Sequence, residues 1–269
     1  MVQSLEHDTV GLAFDGLAEE YDRLFTFSAV GRSQRDVVWK RALKTFAPGS
    51  HILELNCGTG EDALFLAKAG MAVTACDASA RMIMQARSKM EAENLDSDVE
   101  FLVLATEQIS CLPLTRRFDG IFSNFSGLNC IPNLQSVAFQ LAERLEPGAP
   151  LLLCLSTRYC LWEICYYLLR NNARKALRRC SGSSQARVGG FEFSVYYPTP
   201  SDVRRAFAPY FRLLSIAGIG ITVPPSYLES WIARHPRLLT VMERIDVAVR
   251  RWPLLRSVGD HMLLHLEKI

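Results

Sequence analysis

The sequence predicts an α/β fold, a mostly parallel sheet with helices packed on both faces. Three observations carry this. Short apolar runs alternate with segments of helical spacing from residue 51 to residue 156, the order expected of repeated βα units. The runs are apolar almost throughout, which suits strands buried on both faces. The first of them breaks into a glycine turn, HILELNCGTG at 51–60, before the next helical segment begins.

Residues 8–46 read as helical, interrupted near 26–29. Within FDGLAEEYDRLF, Phe14, Leu17, Ala18, Tyr21 and Leu24 recur at three- and four-residue spacing and form one apolar face. Tyr21 on such a leading helix either packs or closes over a ligand at the glycine turn, and periodicity leaves both open. Pro48 and Gly49 mark the turn into the first strand. Strands follow at 51–56, 72–76, 99–104, 118–124 and 150–156, with helices at 61–69, 79–93 and 133–145. Past residue 157 the alternation loosens. A helix at 160–179 leads to SGSSQARVGG, which reads as a hairpin or lid element, and FEFSVYY alternates like a strand at 191–197. Pro200 and Ser201 open a short helix, RLLSIAGIGI is a further strand, and HMLLHLEK ends the chain after a helical stretch at 226–251. The resulting division is 1–158 for the leading helices and core, 159–200 for a helical and hairpin cap, and 201–269 for closing strands with a helical insertion at 222–256.

Strand, glycine turn and helix together let a backbone approach a nucleotide-like ligand, because glycine lacks the Cβ that would hold the ligand off. Glu54 lies within the strand, and Asp77 ends the next apolar run at the distance where an acid can take ribose hydroxyls. Ligands of such sheets bind beyond the carboxyl ends of the strands, which puts Asn56 to Gly60, Asp77, Ala105 to Glu107 and Ser123 to Asn129 on one rim.

A chain of 269 residues can bury a sizeable core, and a formal charge of +2 is too small to imply a nucleic-acid surface. The eight cysteines contain no CxxC pair, so reduced, mostly buried thiols and a cytoplasmic setting are expected. MVQSLEHDTV has neither a basic start nor an apolar core, so no signal peptide is expected, and no apolar run reaches the ~18 residues that would span a bilayer. No spaced set of Cys, His and carboxylate indicates a metal.

The segments FDGLAEEYD, ILELNCGTGEDALFLAKAG, VTACDASARMIMQAR and RRFDGIFSNFSGLNCI, with LEPGAPLLL, resemble the class I S-adenosylmethionine-dependent methyltransferases, most of all the small-molecule group that includes ubiquinone and menaquinone biosynthesis enzymes. The resemblance covers residues 10–158 and, more loosely, the closing strands. It implies a Rossmann-like three-layer sandwich whose seven-stranded sheet has an antiparallel last strand, plus the cap. It also implies S-adenosylmethionine as cofactor, with Glu54, Asn56, Cys57, Gly58, Thr59 and Gly60 at its methionine portion and Asp77 with Ala78 at the ribose. Met82, Ala105, Thr106 and Glu107 would lie near the adenine, Asn124 and Phe125 would line the methionine end, and Tyr21 would be a cover. Two departures stand out. Asn56 replaces the first glycine of the usual turn, and asparagine tolerates the left-handed backbone required there. Ala105 replaces the aspartate that usually accepts from the adenine amino group, so Glu107 or backbone groups would substitute.

Methyl transfer from a sulfonium is a direct displacement in which the protein mainly aligns the nucleophile, so a general base is optional. His7 is a candidate only if the N-terminal segment covers the site, and His261 and His265 are expected to face structure or solvent. The order of the turn and the SNFSGLN loop argue against a nicotinamide dehydrogenase. The expected reaction is methyl transfer to a small hydrophobic or amphiphilic acceptor; the alternatives are non-methylating chemistry on the same cofactor and a pseudoenzyme that binds only the cofactor or a partner protein. Candidate substrate contacts are Asn129, Arg158, Trp162, Tyr166 and Tyr197. Trp162, Tyr166, Arg170, Arg174 and Arg178 would form one stripe on a continuous helix, meeting an anionic substrate, a membrane surface or solvent. The aromatics and arginines of 226–256 suit a peripheral membrane-interface helix or an apolar substrate pocket and, equally, an ordinary helical cap packed on the sheet, and no nucleic-acid partner is expected.

Overall fold

The computed structural model describes residues 2–95, 97–113 and 117–269, with side chains from residue 9 onward. Nine strands are present among these residues: β1 (His51–Leu55), β2 (Ala72–Asp77), β3 (Val99–Val103), β4 (Gly120–Ser123), β5 (Pro150–Ser156), β6 (Ser183–Val188), β7 (Phe191–Tyr196), β8 (Phe211–Ile219) and β9 (His261–Lys268). Seven form one sheet in the order β3-β2-β1-β4-β5-β9-β8, while β6 and β7 pair as a separate hairpin. β1 to β5 are mutually parallel, and β9 runs antiparallel to both β5 and β8. The strand order reverses between β1 and β4, which opens a crevice beyond their carboxyl ends. Register sets Leu55 beside both Cys76 and Ser123, so the three strands end level at that crevice.

Alternate residues of one strand feed two cores, since side chains leave a strand on opposite faces. Leu53, Leu55, Leu151 and Leu153 pack with Val137, Leu141, Val203 and Phe207 from the helices Leu134–Ala142 and Pro200–Phe207. Ile52, Val73, Phe122 and Leu152 pack with Val38, Ala63, Leu66 and Ile83 from the helices Ala29–Thr45, Glu61–Lys68 and Ala80–Ala92.

The N-terminal region is broken for a visible reason. A helix Val2–Asp15, a short helix Ala18–Tyr21 and a π-helical turn Asp22–Thr26 precede Ser28, whose Oγ accepts from the Gly31 N–H at 2.9 Å. The distant Glu229 carboxylate completes this cap by accepting from the N–H groups of Ala29 (2.7 Å) and Val30 (3.0 Å).

The single helix expected over 160–179 is instead two short ones, Leu161–Leu168 and Ala173–Ala176. Asn171 adopts φ 55° and the Asn172 side chain accepts from the Lys175 N–H at 3.1 Å, so this asparagine pair ends one helix and caps the next. The basic stripe is thereby cut. Arg170 lies over the Tyr166 ring at 4.4 Å, and the half-exposed Arg178 makes a bidentate pair with buried Glu163 (2.5 and 2.9 Å).

Candidate active site

The turn after β1 alternates left-handed residues: Asn56 (φ 54°), Gly58 (φ 54°) and Gly60 (φ 75°). Asn56 takes that backbone as its residue type allows, and its Oδ1 accepts from the Thr106 hydroxyl at 3.2 Å. Gly60 is required for packing, because a Cβ there would come within 2.8 Å of the Ala86 Cβ. Asp77 pins the turn: one carboxylate oxygen accepts from the Gly58 N–H (2.9 Å), the other from the Ser79 N–H (2.8 Å). Burial pushes the Asp77 carboxyl above its ordinary value, and these two N–H groups oppose the shift.

The leading helices close over the turn. Asp22 accepts from the Thr59 hydroxyl (2.5 Å) and pairs with Lys89 (2.8 Å), while Asp15 accepts from the Ser79 hydroxyl (2.6 Å) and the Arg81 N–H (3.0 Å). Gly11 sits so close to Ala78 that a Cβ would lie 2.6 Å from its carbonyl oxygen. His7 lies outside the residues whose side chains are described.

A cavity of about 300 Å³ results. Of the residues expected at a cofactor, Tyr21, Asn56, Cys57, Gly58, Thr59, Asp77, Ala78, Met82, Asn124 and Phe125 line it. Ala105, Thr106 and Glu107 line a small adjoining cavity of about 40 Å³, which Asn56 and Ala78 also border. Glu54 and Gly60 are not on either wall. Glu54 is 1% exposed beneath the turn with Oε2 unpartnered, and burial together with nearby Asp62 holds its carboxyl well above the usual range.

Residues outside the sequence prediction form the floor. Arg35 pairs with Asp62 (2.6 Å) and lies over the Phe125 ring at 4.8 Å, with its Nε unpartnered. Asp62 also accepts from Trp39 Nε1 (2.6 Å) and Asn124 Nδ2 (3.0 Å). Burial works against the Arg35 charge, yet Asp62 outweighs it and holds the guanidinium above its ordinary value. Phe125 (φ 43°) and Ser126 (φ 71°) are both left-handed, which is costly for an aromatic residue and concentrates strain where β4 meets the cavity.

A second chamber of about 360 Å³ shares Phe14, Tyr21, Arg35, Phe125, Ser126 and Val188 with the first. Its far wall carries Gln34, Ser156, Arg179, Asp260 and His261. Arg179 bridges the buried carboxylates of Glu163 (2.9 Å) and Asp260 (3.0 Å). His261 Nδ1 faces two acceptors, Gln34 Oε1 at 3.1 Å and Asp260 Oδ2 at 3.6 Å, so the ring proton sits on Nδ1 and Nε2 keeps its lone pair. Burial lowers the His261 pKa, against the pull of Asp260. His261, expected to face structure or solvent, packs edge-on to the Phe125 ring at 5.4 Å and also borders this chamber. Its position at the start of β9 gave no periodic signal of a second chamber.

None of the five expected substrate residues lines this chamber. Asn129 is fully buried and staples backbones, donating to the carbonyls of Tyr196 (2.6 Å) and Ser156 (3.3 Å) and accepting from the Ser156 N–H (3.0 Å). Arg158 donates to the Tyr197 carbonyl (2.9 Å) and to Asp202 (3.3 Å), and Trp162 Nε1 donates to the Thr222 carbonyl (2.8 Å). Tyr166 clusters with Tyr167 and Tyr227, and the buried Tyr197 ring lies under Arg179 at 5.4 Å. The break at Asn171 and the pairing of Arg178 and Arg179 with Glu163 take these side chains out of the expected stripe.

Residues 52–148 match a family model described as a methyltransferase domain. Among curated proteins, the chain is 28% identical over 101 residues to tRNA 5-carboxymethoxyuridine methyltransferase of Escherichia coli K12 (36% of this chain, 39% of that protein). It is likewise 28% identical over 148 residues to demethylmenaquinone methyltransferase of Mycobacterium tuberculosis H37Rv (54% of this chain, 57% of that protein). The match thus spans less than two thirds of either relative. Among solved structures, an S-adenosylmethionine-dependent methyltransferase from Listeria monocytogenes covers 89% of this chain and 99% of its own, with TM-score 0.62 and 16% identity. The [4+2]-cyclase SpnF covers 97% and 96%, with TM-score 0.66 and 14% identity. At such identities the likeness is one of fold.

Proposed function

We propose that this chain is a class I S-adenosylmethionine-dependent methyltransferase, a reading supported by the methyltransferase-domain match over 52–148, and that it transfers a methyl group from S-adenosylmethionine to a small hydrophobic or amphiphilic acceptor held in the second chamber. One observation carries this reading: a cavity walled by the glycine turn and by an aspartate pinned to it shares Tyr21, Arg35 and Phe125 with a second chamber that has its own proton-accepting group.

The residues present fit the cofactor. Each Asp77 oxygen keeps a lone pair beyond the backbone N–H it accepts from, which suits the two ribose hydroxyls. The left-handed turn at 56–60 lets backbone approach the methionine portion, and the buried, unpartnered Arg35 Nε–H is a donor for its carboxylate. Met82 with Ala105, Thr106 and Glu107 would flank the adenine, while Tyr21, Asn124 and Phe125 would enclose the methionine end. When bound, S-adenosylmethionine supplies an electrophilic methyl group to a nucleophile in line with it. The chain's part is to orient the acceptor among Phe14, Phe25 and Phe125, to exclude water, and to take the acceptor's proton on His261 Nε2. Asp260 and Gln34 hold that ring in the required tautomer, and Arg179 holds Asp260.

The small, largely apolar chamber supports a small acceptor over a nucleotide within RNA. Calorimetry with S-adenosylhomocysteine tests the cofactor half, and no binding would refute it. Label from methyl-labelled cofactor, traced into a co-purified acceptor, tests the transfer. Turnover without label would instead favour non-methylating chemistry, a reading supported by the proton-transfer groups that the chamber holds apart from the cofactor cavity. Among the described residues no helix is long and apolar enough to cross a membrane. Exposed Trp252 and Leu254 beside Arg250 and Arg251 support peripheral contact with one.

A further inference from the structure

Away from both cavities, a groove of about 60 Å³ collects basic side chains from separate parts of the chain. Lys40, Arg41 and Lys44 come from the helix Ala29–Thr45, Arg250 and Arg251 follow the helix Pro236–Val249, and His265 lies on β9. No carboxylate among the described residues pairs with any of the five lysines and arginines. Two nearby acids are engaged with other groups. Asp246 accepts from the N–H groups of Ile221 (3.1 Å) and Thr222 (2.6 Å), and Glu267 pairs with Arg212 (2.6 Å).

Arg41 donates instead to neutral partners, the Ser215 hydroxyl at 3.2 Å and His265 Nδ1 at 2.6 Å. A ring nitrogen that accepts from a guanidinium carries no proton, so His265 is neutral here. Burial and the charge of Arg251 hold both Arg41 and Arg250 below the ordinary guanidinium value. These cations thus repel one another across a concave site in which Asp246 offsets only part of the repulsion on Arg250, and an anion would relieve the rest.

The surroundings favour one source of that anion. Leu43 (50% exposed), Leu214 (43%), Trp252 (59%) and Leu254 (86%) are sequence neighbours of the groove residues and present apolar surface to solvent. Cations interleaved with exposed aromatic and aliphatic side chains match the boundary between headgroups and acyl chains. A nucleic-acid backbone would leave Leu254 and Trp252 uncovered.

We propose that this groove seats the phosphate of an anionic phospholipid, with Trp252 and Leu254 entering the bilayer boundary beside it. The inference gives the peripheral contact suggested above a site and a ligand chemistry, and it does not depend on methyl transfer. Sedimentation of the full chain with vesicles tests it, comparing phosphatidylglycerol mixed with phosphatidylcholine against phosphatidylcholine alone. Binding is expected only to the anionic vesicles and should weaken at high salt. Each neutralised cation is expected to lower partitioning about fivefold, so Arg250→Gln with Arg251→Gln lowers it roughly 25-fold. Trp252→Ser with Leu254→Ser should weaken binding while leaving its salt dependence in place. Unchanged binding of S-adenosylhomocysteine by these variants shows that they are folded and separates this test from that of the cofactor reading. Equal sedimentation with both vesicle types, or an unchanged arginine double variant, overturns the proposal. So does loss of tRNA retention by that variant without loss of vesicle binding, which would mark the groove as a nucleic-acid site.

Discussion

Replacing Asp77 by asparagine separates a cofactor ligand from a structural acid. The wild-type carboxylate accepts from two backbone N–H groups, at 2.9 Å from Gly58 and 2.8 Å from Ser79, and is proposed to take the ribose hydroxyls with its remaining lone pairs. An amide offers one acceptor oxygen, so one side of that arrangement meets an N–H₂ group instead. A hydrogen bond to a charged group is worth about 1.5–3 kcal/mol, and at 1.4 kcal/mol per decade the loss of one weakens S-adenosylhomocysteine binding roughly 10- to 150-fold. Stability of the free protein should move far less. Burial raises the Asp77 pKa, so its ionised form costs folding energy at neutral pH, and removing the charge offsets part of the lost bond. The midpoint of thermal unfolding is expected to shift by no more than about 4 °C. The pH dependence supplies a further readout. An acid with a raised folded-state pKa stabilises the fold fully below its unfolded value and loses that contribution as pH rises through the folded value, so wild type gains on the variant as pH falls toward 3.8. Titration calorimetry and thermal melts over pH provide the measurements. An affinity within threefold of wild type would refute the role given to Asp77.

The rim offers a steric test: a Cβ on Gly127 would fall 2.2 Å from the Asn56 Cβ, so Gly127→Ala should cost about 1–3 kcal/mol, and Asn56→Gly in the same chain should restore the melting temperature to that of Asn56→Gly alone. His261→Gln should lower methyl transfer to the co-purified acceptor by about 10²–10⁴-fold with unchanged S-adenosylhomocysteine affinity. In wild type the rate should fall on the acid side below pH 6.5, because burial lowers the pKa through which His261 becomes charged. Glu163→Ala leaves Arg178 without its bidentate partner and Arg179 with one carboxylate fewer, and it should cost about 3–5 kcal/mol, read as a melting point lower by on the order of 10 °C.

Much of this molecule is local and therefore legible without coordinates. The strands of the core are contiguous apolar runs, and their ends are marked by Pro48–Gly49, Pro147–Gly148 and the 56–60 turn, so their order and most of their limits follow from neighbouring residues. The same holds for Asn56, whose left-handed backbone follows from its place in the turn, and for Asp77 and Phe125 on the rim. The helix expected across 160–179 failed because apolar periodicity outweighed a local signal that was present, the Asn171–Asn172 pair that ends one helix and caps the next.

The βα order and the glycine turn with its acidic partner are legible in the chain because each rests on residues close together in it, and the methyltransferase resemblance because it rests on a series of such short segments. Only the tertiary structure decided what lies opposite them. Arg35 reaches Asp62, Gln34 and Asp260 fix the tautomer of His261, and Glu229 caps a helix two hundred residues away, because strand order and sheet register bring together positions that no local pattern relates. The same closure paired Arg178 and Arg179 with Glu163 and gathered Lys40, Arg41, Lys44, Arg250 and Arg251 around one groove. Charge balance is a property of neighbours in space, and that is where composition and spacing stop being informative.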